Sequence, residues 1–364
     1  MDIRKIQVTG GASYVLSLPK SWAVQHNIQK NDPIGIITQP DGTLLITADI
    51  KGQSRMREKE LYQKDFTDPE CLFRCLISAY ITGFTSIRII SKTRIMPEIR
   101  QKVRQYTQMA IGQEVSEETD YSIVLKDILN PVEMPLENTI RRMYTIVKSM
   151  HEDTITALEE GDAALCEDVI SRDNDIDRLH WLISRQYHLI SHNPTISRRM
   201  NITIGTAMTF FQISRTIERI ADHAVTISTN VLALFDSYNR PADDYKAGFG
   251  DGSKTHSGTG SVKKTNLSTE FIQMIRDADE AALSIFRQSM RSFYDRNIHD
   301  AHASIESVRN ITKRYMELKT ECTQLSSPDS IYCGYIASSI ARIGEYSSDI
   351  SEIVINHCIG EEDG

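Results

Sequence analysis

Two pairs of acids, each spaced four residues apart, carry the chemistry this chain is equipped for. Asp173 and Asp177 lie in the stretch Arg172–Leu179, and Glu218 and Asp222 lie in Arg215–Ala224. On an α-helix this spacing puts both carboxylates on one face, about 5–6 Å apart at Cβ, where like charges repel. If the two helices lie side by side, four carboxylates converge and a hard cation relieves the repulsion. An all-oxygen donor set suits Mg²⁺, Ca²⁺, Mn²⁺ or iron, and no cysteine or well-placed histidine argues for a softer ion. His223 follows Asp222 by one residue, so it points about 100° away from it. The competing reading of either pair is a solvated acidic face flanked by arginines; recurrence on two neighbouring Ile-spaced stretches weighs against it.

Other reactive constellations are missing from the sequence. There is no Walker A or HExxH motif, no Ser/His/Asp arrangement, and no Glu-x-x-His pair of the di-iron carboxylate type. These absences point away from an enzyme. The six cysteines form no CxxC pair, which disfavours a zinc or redox motif. Cys71 and Cys75, four apart on an apolar stretch, read as core thiols. With 41 basic and 49 acidic residues the net charge is −8, which disfavours broad, non-specific nucleic-acid binding but leaves room for a local basic face. No apolar run approaches the roughly 18 residues of a membrane span, and Met1–Lys5 begins no signal peptide, so a cytoplasmic protein is expected.

A chain of 364 residues exceeds one ordinary core, and its texture divides it. Residues 1–50 alternate like strands around Thr9-Gly10-Gly11-Ala12-Ser13, continue through a short helix at Lys20–His26, and add strands at Pro33–Gln39 and Thr43–Ala48 joined by Asp41-Gly42. So few short elements bury little, so this stretch is expected to complete its core with a second copy of itself, as a homodimer. Residues 54–130 read as a small plait in βαβαββ order. Its strands are placed at Glu58–Lys64, Thr85–Ile90, Gln113–Ser116 and Tyr121–Asp127. Its helices start at Asp68-Pro69 and at Pro97, the first ending at Gly83. No phosphate loop or catalytic set marks it, and its role is unread.

From Pro135 on, helices are expected at 136–160, 162–192, 201–235, 268–296, 298–326 and 329–358, with Pro194 and Pro328 as boundaries. A Gly/Ser/Thr/Lys-rich linker spans 239–266, so 135–238 and 267–358 read as two three-helix repeats. The third helices align directly: Arg219-Ile220-Ala221-Asp222-His223-Ala224 with Arg342-Ile343-Gly344-Glu345-Tyr346-Ser347. The match departs at Glu218, whose counterpart is Ala341, and at Asp349, whose counterpart is Thr226. The fold class is thus multidomain α+β: a small strand domain, a plait, and a pair of all-α three-helix bundles.

Glu218-Arg219-Ile220-Ala221-Asp222-His223-Ala224 resembles the E-R-I-G-D-H-A signature of the PhoU family of phosphate-uptake regulators, and Asp173-x-x-Ile176-Asp177 resembles that family's second-helix motif. The resemblance covers about 135–358. It implies multinuclear metal binding through Asp173, Asp177, Glu218 and Asp222. In the second repeat only Glu345 and Asp349 carry over, so a weaker or empty site is expected there.

The first 50 residues resemble the AbrB/SpoVT swapped-hairpin domain through Arg4-Lys5-Ile6-Gln7-Val8-Thr9-Gly10-Gly11 and Ser13-Tyr14-Val15-Leu16-Ser17-Leu18-Pro19-Lys20-Ser21-Trp22. That likeness implies an intertwined β-barrel dimer. Arg4, Lys5 and Lys20 would contact DNA phosphates, with Thr9, Gly10, Gly11, Ser13 and Ser17 adding backbone N–H and hydroxyl contacts. The combination resembles archaeal PhoU-type regulators. It implies a DNA-binding regulator of phosphate homeostasis whose partners include DNA and a phosphate ABC-transporter ATPase or a signalling protein. The alternative is an interaction module acting on the transporter, whose N-terminal domain only dimerises.

Overall fold

The structure, a computed structural model, describes residues 3–11, 13–38, 42–48, 57–130, 133–238 and 265–362. Asp41 of the expected Asp41-Gly42 turn, and all of the expected 239–266 linker except its last two residues, fall outside them. The chain separates into two compact units, residues 1–55 and 56–363.

The first unit holds two hairpins and a helix. Strand β1 (Gln7–Thr9) pairs antiparallel with β2 (Ser13–Val15), and the turn between them uses Gly10 and Gly11 at φ of +64° and +83°, a region that suits glycine. Helix α1 (Lys20–Gln25) follows, then β3 (Gly35–Thr38) paired antiparallel with β4 (Leu44–Thr47). Among the described residues of this unit only Ile37 is buried, while Val8, Tyr14, Ile36 and Leu44 are each more than 60% exposed. One copy therefore lacks a core, as its length and element count led us to expect.

The second unit opens with the plait, in the expected βαβαββ order. It runs β5 (Glu58–Tyr62), α2 (Pro69–Ile81), β6 (Ser86–Ile90), α3 (Pro97–Met109), β7 (Gln113–Glu118) and β8 (Ser122–Asp127). The sheet order is β5-β6-β8-β7, with β5 and β6 parallel and the other pairs antiparallel. Alternate residues Ile87, Ile89, Ile123 and Leu125 face the two helices in one buried cluster with Leu72, Leu76 and Ile99. The Asp68 side chain accepts from the Glu70 N–H, with Pro69 in the first turn, so α2 starts where its cap predicts. Two expectations are corrected here. Strand β5 stops at Tyr62, because Gln63–Asp65 close a 3-10 turn. Cys71 is exposed and Cys75 half-buried, because α2 turns Leu72, Leu76 and Tyr80 inward instead.

Seven helices complete the unit. The first bundle is α4 (Leu136–Glu160), α5 (Ala163–His192) and α7 (Ile204–Tyr238); the second is α8 (Thr269–Asp295), α9 (Ile298–Cys322) and α10 (Asp329–Glu362). A short helix α6 (Pro194–Met200) stands where Pro194 was read as a boundary alone; the Asn193 side chain caps it by accepting from the Thr195 N–H. Helix α9 ends at Cys322, four residues earlier than expected.

Both bundles share one buried core, and their inward positions repeat. Val147, Met150, His151, Thr154 and Leu158 of α4 correspond to Ile275, Ala278, Asp279, Ala282 and Phe286 of α8. Val169, Ile176 and Ile183 of α5 correspond to Ser304, Ile311 and Leu318 of α9. The bundles meet along α7 and α10. Within the second bundle Gly344 lets α10 approach α9, since a Cβ there would lie 3.2 Å from Ile311.

Helix α5 also carries the plait. Arg185, fully buried, donates to the carbonyls of Tyr80 and Phe84 and pairs with Asp127. Nε of Arg178 donates to the Met109 carbonyl at 3.1 Å. Gly83, at φ +86°, leaves room for Leu189, which a Cβ would meet at 3.0 Å.

Candidate functional site

The acids of α5 and α7 come together between the two helices. Ile176 and Ile217, both fully buried, hold the inward faces, so the flanking Asp177 and Glu218 emerge at the rim of the interface. Burial, then the charges of Asp173, Glu218 and Asp222, push the Asp177 carboxyl up from 3.8 to about 7. Asp173 is raised by burial and by Asp222, and its Oδ1 is buried with no hydrogen-bond partner. Glu218 is raised by burial and Asp222, against the opposing charges of Arg215 and Arg219. Asp222 is raised by burial, against Arg219. Mutual repulsion of this kind requires the four carboxylates to share one neighbourhood.

The donor set suits a hard cation. It is all oxygen, it carries excess proton affinity that a cation would replace, and it has an orphaned carboxylate oxygen. Among the described residues, no group of three or more His, Cys, Asp or Glu side chains is arranged to hold a metal ion as it stands. The four acids would have to draw inward around one. Of the nearby histidines, His180 is committed elsewhere: its Nδ1 lies 3.0 Å from Ser214 Oγ, and burial with Arg215 lowers it to about 4. His223 lies tilted with its ring 5.6 Å from that of Tyr346, and its buried Nδ1 has no hydrogen-bond partner.

The second repeat is built differently at the same register. Val308 and Thr312 of α9 occupy the positions that Asp173 and Asp177 hold on α5, and Ala341 replaces Glu218. Glu345 pairs with Arg342 at 2.6 Å on its own helix. Asp349 is raised by burial and Glu352, opposed by Arg219 from the other repeat. Arginines thus face both second-repeat acids.

In the first unit all eight residues read as a DNA face are exposed: Arg4, Lys5, Thr9, Gly10, Gly11, Ser13, Ser17 and Lys20. Arg4 Nη1 donates to Ser17 Oγ at 3.2 Å, tying the two ends of the β1–β2 hairpin together. Lys20 opens α1.

Three features escaped the sequence reading. Arg172 of α5 clasps α4 through Asp153 at 2.6 Å and is braced on its own helix by Asp168 at 2.9 Å. Arg185 reaches into the plait. His151 and Asp279 face each other across the bundle seam at 3.7 Å. Their common signal is a charged or polar residue set in an otherwise apolar helix stripe, which marks a buried partner without naming it.

Residues 140–231 match the PhoU domain family. That segment runs from α4 to α7 and contains Asp173, Asp177, Glu218 and Asp222. Residues 7–54 match the family described as antidote-toxin recognition MazE, bacterial antitoxin, which covers Thr9 to Lys20 of the expected DNA-binding residues and begins after Arg4 and Lys5. The structure is similar to that of the phosphate transport system regulatory protein PhoU from Streptococcus pneumoniae, at 18% identity and TM-score 0.47, covering 62% of this chain and 94% of that one. It is also similar to PhoU from Pseudomonas aeruginosa, at 15% identity and TM-score 0.48, covering 62% and 96%. No curated protein matches. Among the described residues no helix is long and apolar enough to cross a membrane.

Proposed function

We propose that this protein is a DNA-binding regulator of phosphate uptake whose PhoU domain carries a metal-loaded acidic face. The observation that carries the reading is the acid cluster of α5 and α7: four carboxylates with raised proton affinity, inside the segment that matches the PhoU domain. Excess negative charge held partly out of water costs stability unless a proton or a cation neutralises it. The cation is Mg²⁺, Ca²⁺, Mn²⁺ or iron, bound by Asp173, Asp177, Glu218 and Asp222, with Glu345 and Asp349 forming a weaker second site.

The N-terminal unit acts as a homodimer. Two copies pair their exposed Val8, Tyr14, Ile36 and Leu44 faces into a swapped-hairpin barrel, and Arg4, Lys5 and Lys20 present about six cations to DNA phosphates around the Gly10-Gly11 turns. The match to a MazE-type domain supports this arrangement. The protein works in the cytoplasm as a regulator and not as a catalyst, and its helical unit docks on a transporter ATPase or a signalling protein.

Capture of the protein from crosslinked cells, with sequencing of bound DNA and identification of bound proteins, tests the reading. Enriched promoters of phosphate-transport genes are expected. Recovery of transporter subunits without any enriched DNA would replace transcriptional control with direct action on the transporter.

A further inference from the structure

The seam between the two bundles contains a histidine and an aspartate that the metal and DNA readings leave unused. His151 of α4 is fully buried, and Asp279 of α8 is 2% exposed. His151 Nδ1 and Asp279 Oδ1 stand 3.7 Å apart, and neither atom has a hydrogen-bond partner. The other ring nitrogen is committed: Nε2 lies 2.9 Å from the Ile220 carbonyl oxygen of α7.

That commitment fixes the chemistry. A carbonyl oxygen only accepts, so Nε2 must carry the hydrogen. In the neutral imidazole Nδ1 is then a bare lone pair, aimed at a carboxylate oxygen that also has only lone pairs when ionised. Two acceptors facing each other in a dry core repel. One proton between them lets the two atoms close from 3.7 Å to hydrogen-bond distance and leaves the pair uncharged as a whole.

We propose that His151 and Asp279 form a proton-held clasp between the two bundles, closed while one proton sits between Nδ1 and Oδ1 and loosened when that proton leaves. The clasp joins three helices, because the same imidazole grips the Ile220 carbonyl on α7. Burial raises the Asp279 carboxyl above its ordinary range, and the neighbouring His151 offsets only part of that rise.

The surrounding charges do not supply a substitute counter-ion. Glu280 on α8 and Glu152 on α4 add negative charge and favour the protonated acid. Glu152 is engaged by Lys148 at 2.9 Å. On the α5 side of α4, Asp153 and Arg172 pair with each other. On α7, His223 is held neutral by burial, and Arg219 sits over the Tyr346 ring of α10. Arg342 of α10 is engaged by Glu345.

The sign follows from the raised carboxyl. Its stabilising contribution is complete below the ordinary carboxylate pKa and is lost as pH rises through the elevated folded-state value. The full-length protein in chelator-treated buffer, examined by hydrogen–deuterium exchange from pH 5 to pH 9, tests this. After correction for intrinsic exchange rates, protection of the α8 amides around Asp279 and of α7 around Ile220 should fall by up to about tenfold per pH unit above the transition, the slope of one linked proton. Asp279→Asn replaces the proton with a permanent N–H donor, so its protection should stay flat over the same range. The ¹³C shift of the Asp279 carboxyl in the parent protein gives an independent reading, with a transition well above 4 expected. Parallel exchange profiles for parent and Asp279→Asn, or an Asp279 carboxyl that titrates near 4, would overturn the clasp.

Discussion

Burial and the neighbouring acids push the Asp177 carboxyl up to about 7, so a cation bound at the proposed α5–α7 site would displace a proton. Metal affinity should therefore rise steeply with pH up to about 7 and flatten above it, with close to one proton released per ion near pH 6. Calorimetry in buffers of different ionisation enthalpy measures that release directly. In the metal-free protein the sign is opposite. A carboxyl raised from 3.8 to about 7 stabilises fully below its ordinary pKa and loses that contribution as pH climbs to 7. The melting temperature of chelated protein should fall across that window, and Asp177→Asn should reduce the fall, with Asp173, Glu218 and Asp222 supplying the remainder. The two repeats should also differ. Glu218→Gln with Asp222→Asn should strip most bound metal, while Glu345→Gln with Asp349→Asn should change it little, as elemental analysis of the purified variants would show. The first-repeat acids were legible because i,i+4 spacing places side chains without any tertiary knowledge. His151 and Asp279 were not, because each is one polar residue in an apolar stripe and its partner lies on a helix far along the chain.

Helix α5 serves two faces at once, acids toward α7 and arginines toward the plait. Arg185 is the anchor of the second face, with Asp127 as its buried counter-charge. Arg185→Leu should cost about 3–5 kcal/mol, because it strands a buried carboxylate. Adding Asp127→Leu should recover most of that loss. It should leave a residue of about 1–3 kcal/mol, since the Leu129 N–H loses Asp127 Oδ1 and the Tyr80 and Phe84 carbonyls lose the Arg185 guanidinium. Urea unfolding of the two variants beside the parent checks both numbers. The elements themselves were largely readable: apolar periodicity, the Asp68-Pro69 start and the Gly83 stop reflect local forces. Helix α6 was missed because Pro194 both ends the preceding helix and opens a new one under the Asn193 cap. The docking of plait on bundle was not readable, since nothing near Arg185 in sequence points to Tyr80, Phe84 or Asp127.

For the whole molecule, the proposed function assigns a separate task to each compact unit. The protein should bind DNA with a log–log salt slope near −5, from about six phosphate contacts at about −0.9 each. Arg4→Glu with Lys5→Glu should abolish binding while leaving the dimer intact, as fluorescence anisotropy and light scattering together would report. Removal of residues 1–55 should abolish DNA binding and dimerisation through this unit, yet leave metal uptake unchanged, because the acid cluster lies wholly in the second unit. A truncated protein that still binds the same DNA would move the nucleic-acid face elsewhere.

The facing of equivalent positions across the bundle seam bears on how such a chain can evolve. His151 meets Asp279, and His223 meets Tyr346, though each pair occupies the same place in its own repeat. Two identical halves could not do this: a symmetric pair of first halves sets histidine against histidine, and a pair of second halves sets aspartate against aspartate in a dry interface. Complementary residues at such a dyad are open only to duplicated copies that share one gene and drift separately. Each such substitution also closes the way back, because neither half can any longer partner its own kind. The duplication has become a ratchet, and the two repeats are now obliged to be inherited together.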